Sequence, residues 1–208
     1  MMKNIPVPAA FLQACDIIDA DHPAVLAKAQ QLARGADSMT ETAQRCFEFV
    51  RDHIQHSSDF KRNPVTLRAS DVLAHGTGYC YAKSHLLAAL LRANGIPAGL
   101  CYQRLTVGDH GEPYCLHGLN ALYLPDAGWY RVDARGNKPG VNAQFCPPQE
   151  QLAFAIRPPQ ELDFPGVYAR PVAVICDALR THATYDAVLA NLPDAAVLPQ
   201  SADWLPLR

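Results

Sequence analysis

The segment from Cys80 to Ala93, with the sequence CYAKSHLLAALLRA, constrains the fold of this 208-residue chain more than any other. Its apolar residues lie almost all the way round a helix, and a helix of this kind must be buried on most of its sides. Asn94 and Gly95 predict its end, and Pro97 prevents its continuation. We therefore expect a central buried helix that begins at Cys80, directly after the glycine-rich stretch GTGY.

Helices are predicted before this segment and strands after it. A first helix follows Pro23 and covers 24–34, and a second begins at Ser38 or Thr40, where Ser38 and Glu41 fit a capping box. The other predicted elements are an irregular stretch over 56–70, a helical turn over 70–73, strands over 98–107, 114–124 and 129–133, and a hairpin turn over 125–128. This order predicts an α+β fold, with the buried helix packed on an antiparallel sheet.

The chain after Asp133 gives weaker signals. Ten of the 17 prolines in the whole sequence lie at position 139 or later. They predict an irregular wrap over 135–170 with at most short strands near 151–156. A strand over 171–176 and a helix over 178–192 are expected to follow. We expect one domain over 1–208, made of a helical part (1–75), a catalytic core (76–135) and a proline-rich wrap with a C-terminal strand and helix (136–208).

Composition excludes several classes of protein. A hydrophobic content of 49% is too high for a disordered chain. Lysine and arginine (18) nearly balance aspartate and glutamate (20), for a net charge of −2. No basic excess marks a surface for nucleic acid or anionic membrane, and no apolar run reaches the 18 residues of a membrane span. We therefore expect neither partner, and the sequence predicts no oligomeric state.

Seven cysteines indicate where the chain is expected to function. They include no CxxC pair and lie at positions 15, 46, 80, 101, 115, 146 and 176. An odd number of cysteines, in a chain long enough to fold without disulfides, is typical of reduced thiols. Pro6 and Pro8 interrupt the N-terminal apolar stretch, so no signal peptide is predicted. We expect a cytoplasmic protein in which most of these thiols are buried.

Cys80 is the exception among these cysteines, because a helix N-terminus and a neighbouring imidazole both favour the reactive thiolate. His117 lies inside a predicted strand, which would fix the orientation of its ring. A third group should hold that ring in the correct tautomer, and Asp133 at the end of the next strand can do so. The predicted catalytic residues are therefore Cys80, His117 and Asp133.

Strand pairing decides whether His117 and Asp133 can share a face of the sheet. A two- or four-residue hairpin loop would put them on opposite faces, since side chains alternate along a strand. A five-residue loop, with Tyr123 opposite Trp129, makes Leu119 the partner of Asp133 and leaves His117 as a diagonal neighbour. We therefore predict an odd-length turn or a bulge between these two strands.

These residues carry a resemblance to a known family. The stretch GYC at 78–80 that opens a helix, LLAALLRANGIPA at 86–98, His117, and GWYRVD at 128–133 together resemble the transglutaminase-like superfamily. That family contains papain-like Cys-His-Asp enzymes, among them transglutaminases, peptide N-glycanases and bacterial proteins of the cysteine protease type. The resemblance implies a papain/transglutaminase-like fold with Cys80 as nucleophile, His117 as general base and acid, and Asp133 as orienting carboxylate. It implies no cofactor or metal, and a peptide or amide as substrate.

Other interpretations of individual residues remain open. Cys115 and His117 could form half of a zinc site, although no second pair has ligand spacing. Lys83 could assist the thiolate or bind an anionic substrate, but a solvated lysine at the helix edge is the favoured interpretation. Gln103 and Arg104 either line the cleft or are ordinary polar strand positions.

The activity also has alternatives. The backbone N–H of Cys80 is one expected donor to an oxyanion, and the resemblance implies a second donor from an upstream segment. Its candidates are Gln55, His56, Ser58 and Asp59. The favoured activity is a cysteine-dependent amidase or peptidase that acts through a thioester acyl-enzyme. Acyl transfer to an amine and a catalytically silent binding module are the alternatives.

Overall fold

Helices dominate the N-terminal part of the fold and strands the middle in the computed structural model, which describes residues 7–108, 111–200 and 204–207. After a 3₁₀ turn at Ala9–Phe11, the helices are α1 (Pro23–Ala33), α2 (Met39–His53), α3 (Ala69–His75), α4 (Cys80–Ala93), α5 (Ala173–Thr181) and α6 (Tyr185–Ala190). The strands are β1 (Gln55–His56), β2 (Thr77–Gly78), β3 (Ala98–Thr106), β4 (Tyr114–Leu124), β5 (Gly128–Val132), β6 (Gln144–Cys146), β7 (Gln149–Gln151), β8 (Leu162–Asp163), β9 (Gly166–Tyr168) and β10 (Trp204–Pro206).

Helix α4 is the centre of the hydrophobic core. Every residue from Cys80 to Arg92 is buried, as the apolar pattern predicts. Helices α1, α2 and α3 pack on one side of α4, and strands β3 and β4 pack on the other. Asn94 caps its C-terminal end and Gly95 follows with a φ of 72°. The α+β class and the packing of the buried helix on an antiparallel sheet are confirmed.

The main sheet has the strand order β10-β9-β3-β4-β5, and β8 also pairs with β3. Its strands are all antiparallel. A Cβ atom at Gly118 on β4 would lie 3.1 Å from the Cα atom of Tyr81. Any side chain at this position would crowd the first turn of α4, so the glycine allows the helix to approach the sheet closely. This contact brings Cys80 next to the strand that carries His117.

A short parallel pairing places an upstream segment beside the start of α4. Strand β1 pairs with β2, with Gln55 opposite Thr77 and His56 opposite Gly78. The backbone N–H of Ser57 donates to the carbonyl of Gly78 at 3.1 Å. Residues 55–58 are therefore held against the segment that leads directly into Cys80.

The N-terminal helices begin where their capping residues predict. Ser38 is the N-cap of α2, and its hydroxyl accepts from the backbone N–H of Glu41 at 3.1 Å. The carboxylate of Glu41 accepts from the N–H of Asp37 at 2.8 Å, one residue before the position in a standard capping box. The predicted helical turn at 70–73 is longer than expected, because α3 extends from Ala69 to His75.

The C-terminal part departs from the predictions. The expected strand over 171–176 is wrong, because helix α5 begins at Ala173 and buries Ile175, Cys176 and Leu179 on one face. This spacing is helical, and burial of the face outweighs the β-branched composition that favours a strand. The expected helix over 178–192 is instead divided between α5 and α6. The short strands predicted near 151–156 are also displaced, since β7 ends at Gln151 and the next strand begins at Leu162.

Candidate active site

Cys80 occupies the first position of α4, where Tyr79 is the N-cap residue and contributes no side-chain cap. The positive end of the helix dipole therefore acts on the Cys80 side chain. The residue is 7% exposed, so it is nearly buried yet reaches the wall of a cavity. The backbone carbonyl of Cys80 accepts from the Ser84 hydroxyl at 2.8 Å, which gives this buried hydroxyl a partner inside the helix.

His117 lies between Cys80 and Asp133. Its Nε2 atom is 2.7 Å from Oδ2 of Asp133, and both side chains are buried. The Cys80 side chain is a further hydrogen-bond partner of the His117 ring. The structure therefore brings the three predicted site residues together in the order cysteine, imidazole, carboxylate.

The strand register explains how Asp133 reaches His117. Tyr123 pairs with Trp129, and the ladder closes at Leu124 opposite Gly128, which leaves a three-residue turn. The predicted odd-length turn is confirmed. The ladder runs back to Asn120 opposite Val132, so the next position places Leu119 opposite Asp133. His117 is then the diagonal neighbour that the sequence analysis requires.

Three hydrogen bonds fix the carboxylate of Asp133. Besides His117, it accepts from the backbone N–H of Arg135 at 3.1 Å and from that of Ala153 at 3.2 Å. Burial alone would raise the pKa of this carboxyl group, but the charge of His117 and these three donors lower it below its ordinary value. Asp133 therefore carries its negative charge in a fully buried position.

The pKa of His117 reflects the same arrangement. Burial alone would lower it, but the carboxylate of Asp133 and the neighbouring Cys80 side chain outweigh this effect and raise the pKa to about 10. The imidazole therefore binds its second proton firmly at neutral pH. An imidazolium in this position places a positive charge beside the Cys80 side chain.

Phe154 covers the imidazole. Its ring meets that of His117 edge to face, with the ring centres 5.0 Å apart and the planes at 87°. The Arg135 guanidinium lies over the same phenyl ring at 5.6 Å from its centre. A hydrophobic cover of this kind keeps water from the His117–Asp133 pair and strengthens their interaction.

We expect Phe154→Ala to lower the pKa of His117 toward its ordinary value, because water would enter beside the ring and screen the charge of Asp133. Nuclear magnetic resonance titration of the imidazole measures this shift. Phe154→Leu keeps an apolar cover and should retain most of the raised pKa. Equal behaviour of the alanine variant and the wild type would contradict this role.

A cavity of about 490 Å³ opens at Cys80. His56 and Tyr79 form part of its wall next to the thiol. Apolar side chains form much of the remainder, including Leu105, Val107, Leu116, Leu189 and Leu192. Clefts of this size and character hold small ligands or a few residues of an extended peptide.

The four candidates for the second oxyanion donor lie in strand β1 or directly after it. Of the four candidates, His56 and Ser58 line the cavity that contains Cys80, whereas Gln55 and Asp59 do not. Nδ1 of His56 lies 3.1 Å from the Ser58 hydroxyl. Burial and the nearby Arg135 lower the pKa of His56 well below its ordinary value, so this imidazole is neutral. The carboxylate of Asp59 pairs with Arg135 and Lys138 and has no proton to donate.

Lys83 is buried, so the solvated lysine at the helix edge that the sequence analysis favours is wrong. Only 1% of it is exposed. Its ammonium donates to the carbonyl oxygens of Ile54 and, at 3.4 Å, Arg51. These carbonyls lie at the C-terminal end of α2 and lack partners within that helix, which explains why a lysine is drawn into the interior.

The other polar strand positions lie outside the cavity. Gln103 is buried on β3, and Arg104 pairs with Asp194 at 2.6 Å. Neither lines the cavity at Cys80. Within the described residues, no group of three or more histidine, cysteine, aspartate or glutamate side chains is placed to hold a metal ion, and this includes Cys115 and His117.

The remaining cysteines have a different environment from Cys80. All seven are free thiols. Burial raises the pKa of Cys46 and of Cys115 to about 12, and that of Cys101 still further, so these three thiols stay protonated. Among the described residues, none of these three thiols has an imidazole among the groups that shift its pKa, unlike the side chain of Cys80, which His117 contacts.

Several residues of the site have no signal in the sequence. Asp59 and Arg135 form a two-armed ion pair across 76 positions, at 2.7 and 3.1 Å. Ala153 acts through its backbone, and Phe154 lies in a stretch predicted as irregular or short strand. Only tertiary packing brings these residues to His117 and Asp133.

This arrangement of helix, sheet and buried polar residues agrees with comparisons to known proteins. The sequence pattern of the Transglutaminase-like superfamily matches residues 26–134, which is more than half of the chain. The protein belongs to the transglutaminase-like superfamily. None of the curated proteins is significantly similar to it.

Solved structures with a related fold have low sequence identity. A candidate cysteine protease from Cytophaga hutchinsonii is 18% identical with a TM-score of 0.47, over 60% of this chain and 40% of its own. The periplasmic domain of TgpA from Pseudomonas aeruginosa is 21% identical with a TM-score of 0.45, over 60% and 45%. A candidate protease from Parabacteroides distasonis is 13% identical with a TM-score of 0.39, over 67% and 31%. The chain thus covers less than half the length of each.

The helices within the described ranges are all too short or too polar to cross a lipid bilayer.

Proposed function

We propose that the protein is a cysteine-dependent amidase or peptidase that uses Cys80, His117 and Asp133. The observation that supports this most strongly is the arrangement of the His117 ring. Its Nε2 atom lies 2.7 Å from the buried Asp133 carboxylate, and the same ring has a cysteine at a helix N-terminus as a hydrogen-bond partner. This is the arrangement required for a thiol nucleophile activated by an oriented imidazole.

The reaction follows from these positions. The Cys80 thiolate attacks the amide carbonyl carbon, and its backbone N–H donates to the oxyanion that forms. The imidazolium of His117 then gives its proton to the departing amine as the C–N bond breaks, which leaves a thioester on Cys80. His117 next takes a proton from water, the hydroxide attacks the thioester, and the acid leaves as the thiolate is restored.

The buried ion pair of Asp133 and His117 lowers the free-energy cost of each proton transfer. Asp133 stays charged next to His117 and stabilises the imidazolium, so the proton that the departing amine needs is already on the ring. The same acyl-enzyme also serves transfer to an amine. We favour hydrolysis, because water is always present, whereas transfer also needs an amine acceptor to be bound beside the thioester. A silent binding module would have no need of this buried ionic pair.

Direct detection of the acyl-enzyme tests the proposal. Incubation with a small library of peptide and carboxamide substrates, followed by acid quench and mass spectrometry, should show the acyl mass on the peptide that contains Cys80. Added glycine ethyl ester separates the two fates of the thioester, since transfer gives an amide product and hydrolysis gives the acid. Labelling at another residue, or on none with every substrate, would refute the mechanism.

A further inference from the structure

A second cavity, also of about 490 Å³, shares a wall with the one at Cys80. Both cavities are lined by His56, Arg135 and Lys138. We call the second cavity the basic annex and define it by its charged lining residues, Arg51, Asp52, Asp59, Lys83, Arg135 and Lys138. A substrate held at Cys80 need only extend past the shared wall to enter it.

Positive charge exceeds negative charge in the annex. Two arginines and two lysines line it, against the two carboxylates of Asp52 and Asp59 among the described lining residues. Asp52 pairs with Arg51 at 2.7 Å. Asp59 serves two cations at once, as it lies 2.7 Å from Arg135 and 2.8 Å from Lys138. The whole chain has a net charge of −2, so this local excess is not a general property of the molecule.

Lys83 forms the buried base of the annex without a carboxylate partner of its own among the described residues. Its ammonium donates only to the carbonyls of Arg51 and Ile54, which carry no full charge. Burial first, and then the nearby Arg135, lower the pKa of Lys83 to about 7. An anion beside it would offset both effects, because a paired buried charge costs less than an unpaired one.

We propose that the basic annex binds a carboxylate of the substrate and so selects peptides or amides that carry one near the scissile bond. The carboxylate can be an aspartate or glutamate side chain or a free C-terminus. This inference rests on the proposed function, since that function is what brings a peptide to Cys80. Lys138, whose side chain is 42% exposed, stands at the entrance and Lys83 at the base.

Binding to the Cys80→Ala protein tests the annex without catalysis. The probes are blocked alanine pentapeptides with one glutamate at each position in turn, their glutamine counterparts, and an all-alanine peptide with a free C-terminus. Calorimetry should find one acidic peptide that binds about tenfold more tightly than its neutral counterpart. Lys138→Gln should reduce this preference to below about threefold. Lys28→Gln removes the same charge outside both cavities, on α1, and should leave the preference intact.

The outcomes separate this inference from the proposed function. Equal binding of acidic and neutral peptides, or equal loss of preference in the Lys28 and Lys138 variants, would overturn the annex as a carboxylate site. Inorganic phosphate that competes as well as the acidic peptide would identify a general anion site and overturn it also. A clear preference for the acidic peptide, in a protein whose wild type forms no acyl-enzyme, would support the annex and refute the amidase proposal.

Discussion

Cys80→Ala is expected to abolish amide hydrolysis, with kcat lowered by a factor of about 10⁴ to 10⁶, the loss typical when a nucleophile is removed from a catalytic triad. The reason is that His117 would have no thiol to activate, and the thioester could not form. Initial rates with the best substrate of the library measure the loss. The fold should be retained, because the change removes one sulfur atom at a cavity wall.

A second cysteine gives the matched control. Cys146 lies on β6, is partly exposed and does not line the cavity at Cys80. Cys146→Ala should keep its activity and its sensitivity to iodoacetamide, while Cys80→Ala should have no activity left to inhibit. If hydrolysis survived in the Cys80 variant at more than a trace, the proposed nucleophile would be wrong.

Asp133→Asn should lower kcat by about 10³ to 10⁴ while leaving the volume of the side chain almost unchanged. The amide can no longer stabilise the imidazolium, and its NH₂ group can hold the ring in the wrong tautomer. Substrate binding should change much less, since Asp133 is buried behind His117 and does not line the cavity. Separate determination of kcat and KM distinguishes this result from a general loss of structure.

The same variant has a defined dependence on pH. Folding raises the pKa of His117 from an ordinary 6.5 to about 10, so the stability that it contributes is present below pH 6.5 and is lost as the pH rises through 10. Folding lowers the pKa of Asp133, so the stability that this carboxylate contributes is present at pH values above its ordinary pKa. Urea unfolding should therefore show the largest destabilisation of Asp133→Asn near pH 6, and a smaller one at pH 10. A difference that grew with pH would contradict the ion pair.

The elements with strong periodicity were predictable from the sequence. Helix α4 and strand β4 have the predicted bounds, because an all-apolar helix and an alternating strand leave few other ways to bury their side chains. The odd number of residues in the hairpin turn between β4 and β5 was predictable from one requirement, which is that His117 and Asp133 share a face of the sheet. Local patterns were therefore sufficient for the three central site residues.

Long-range contacts explain what the sequence could not predict. Lys83 is buried because the carbonyl groups at the end of α2 need donors, and nothing near Lys83 in the sequence indicates them. The strand predicted over 171–176 is a helix, because its face at Ile175 and Leu179 packs against the core. In both cases tertiary packing outweighs local preference.

The contacts of Asp133 and His117 show how much of the chain is needed to keep this site intact. The match to the superfamily ends at residue 134, yet two of the three donors to Asp133, Arg135 and Ala153, lie beyond it, as does Phe154, the cover of His117. A fragment trimmed to the recognisable family region would contain Cys80, His117 and Asp133 but would leave the imidazole unsheltered and its carboxylate short of two donors. The proline-rich stretch, which has the weakest pattern of the chain, therefore completes the surroundings of His117 and Asp133 at the site proposed for catalysis.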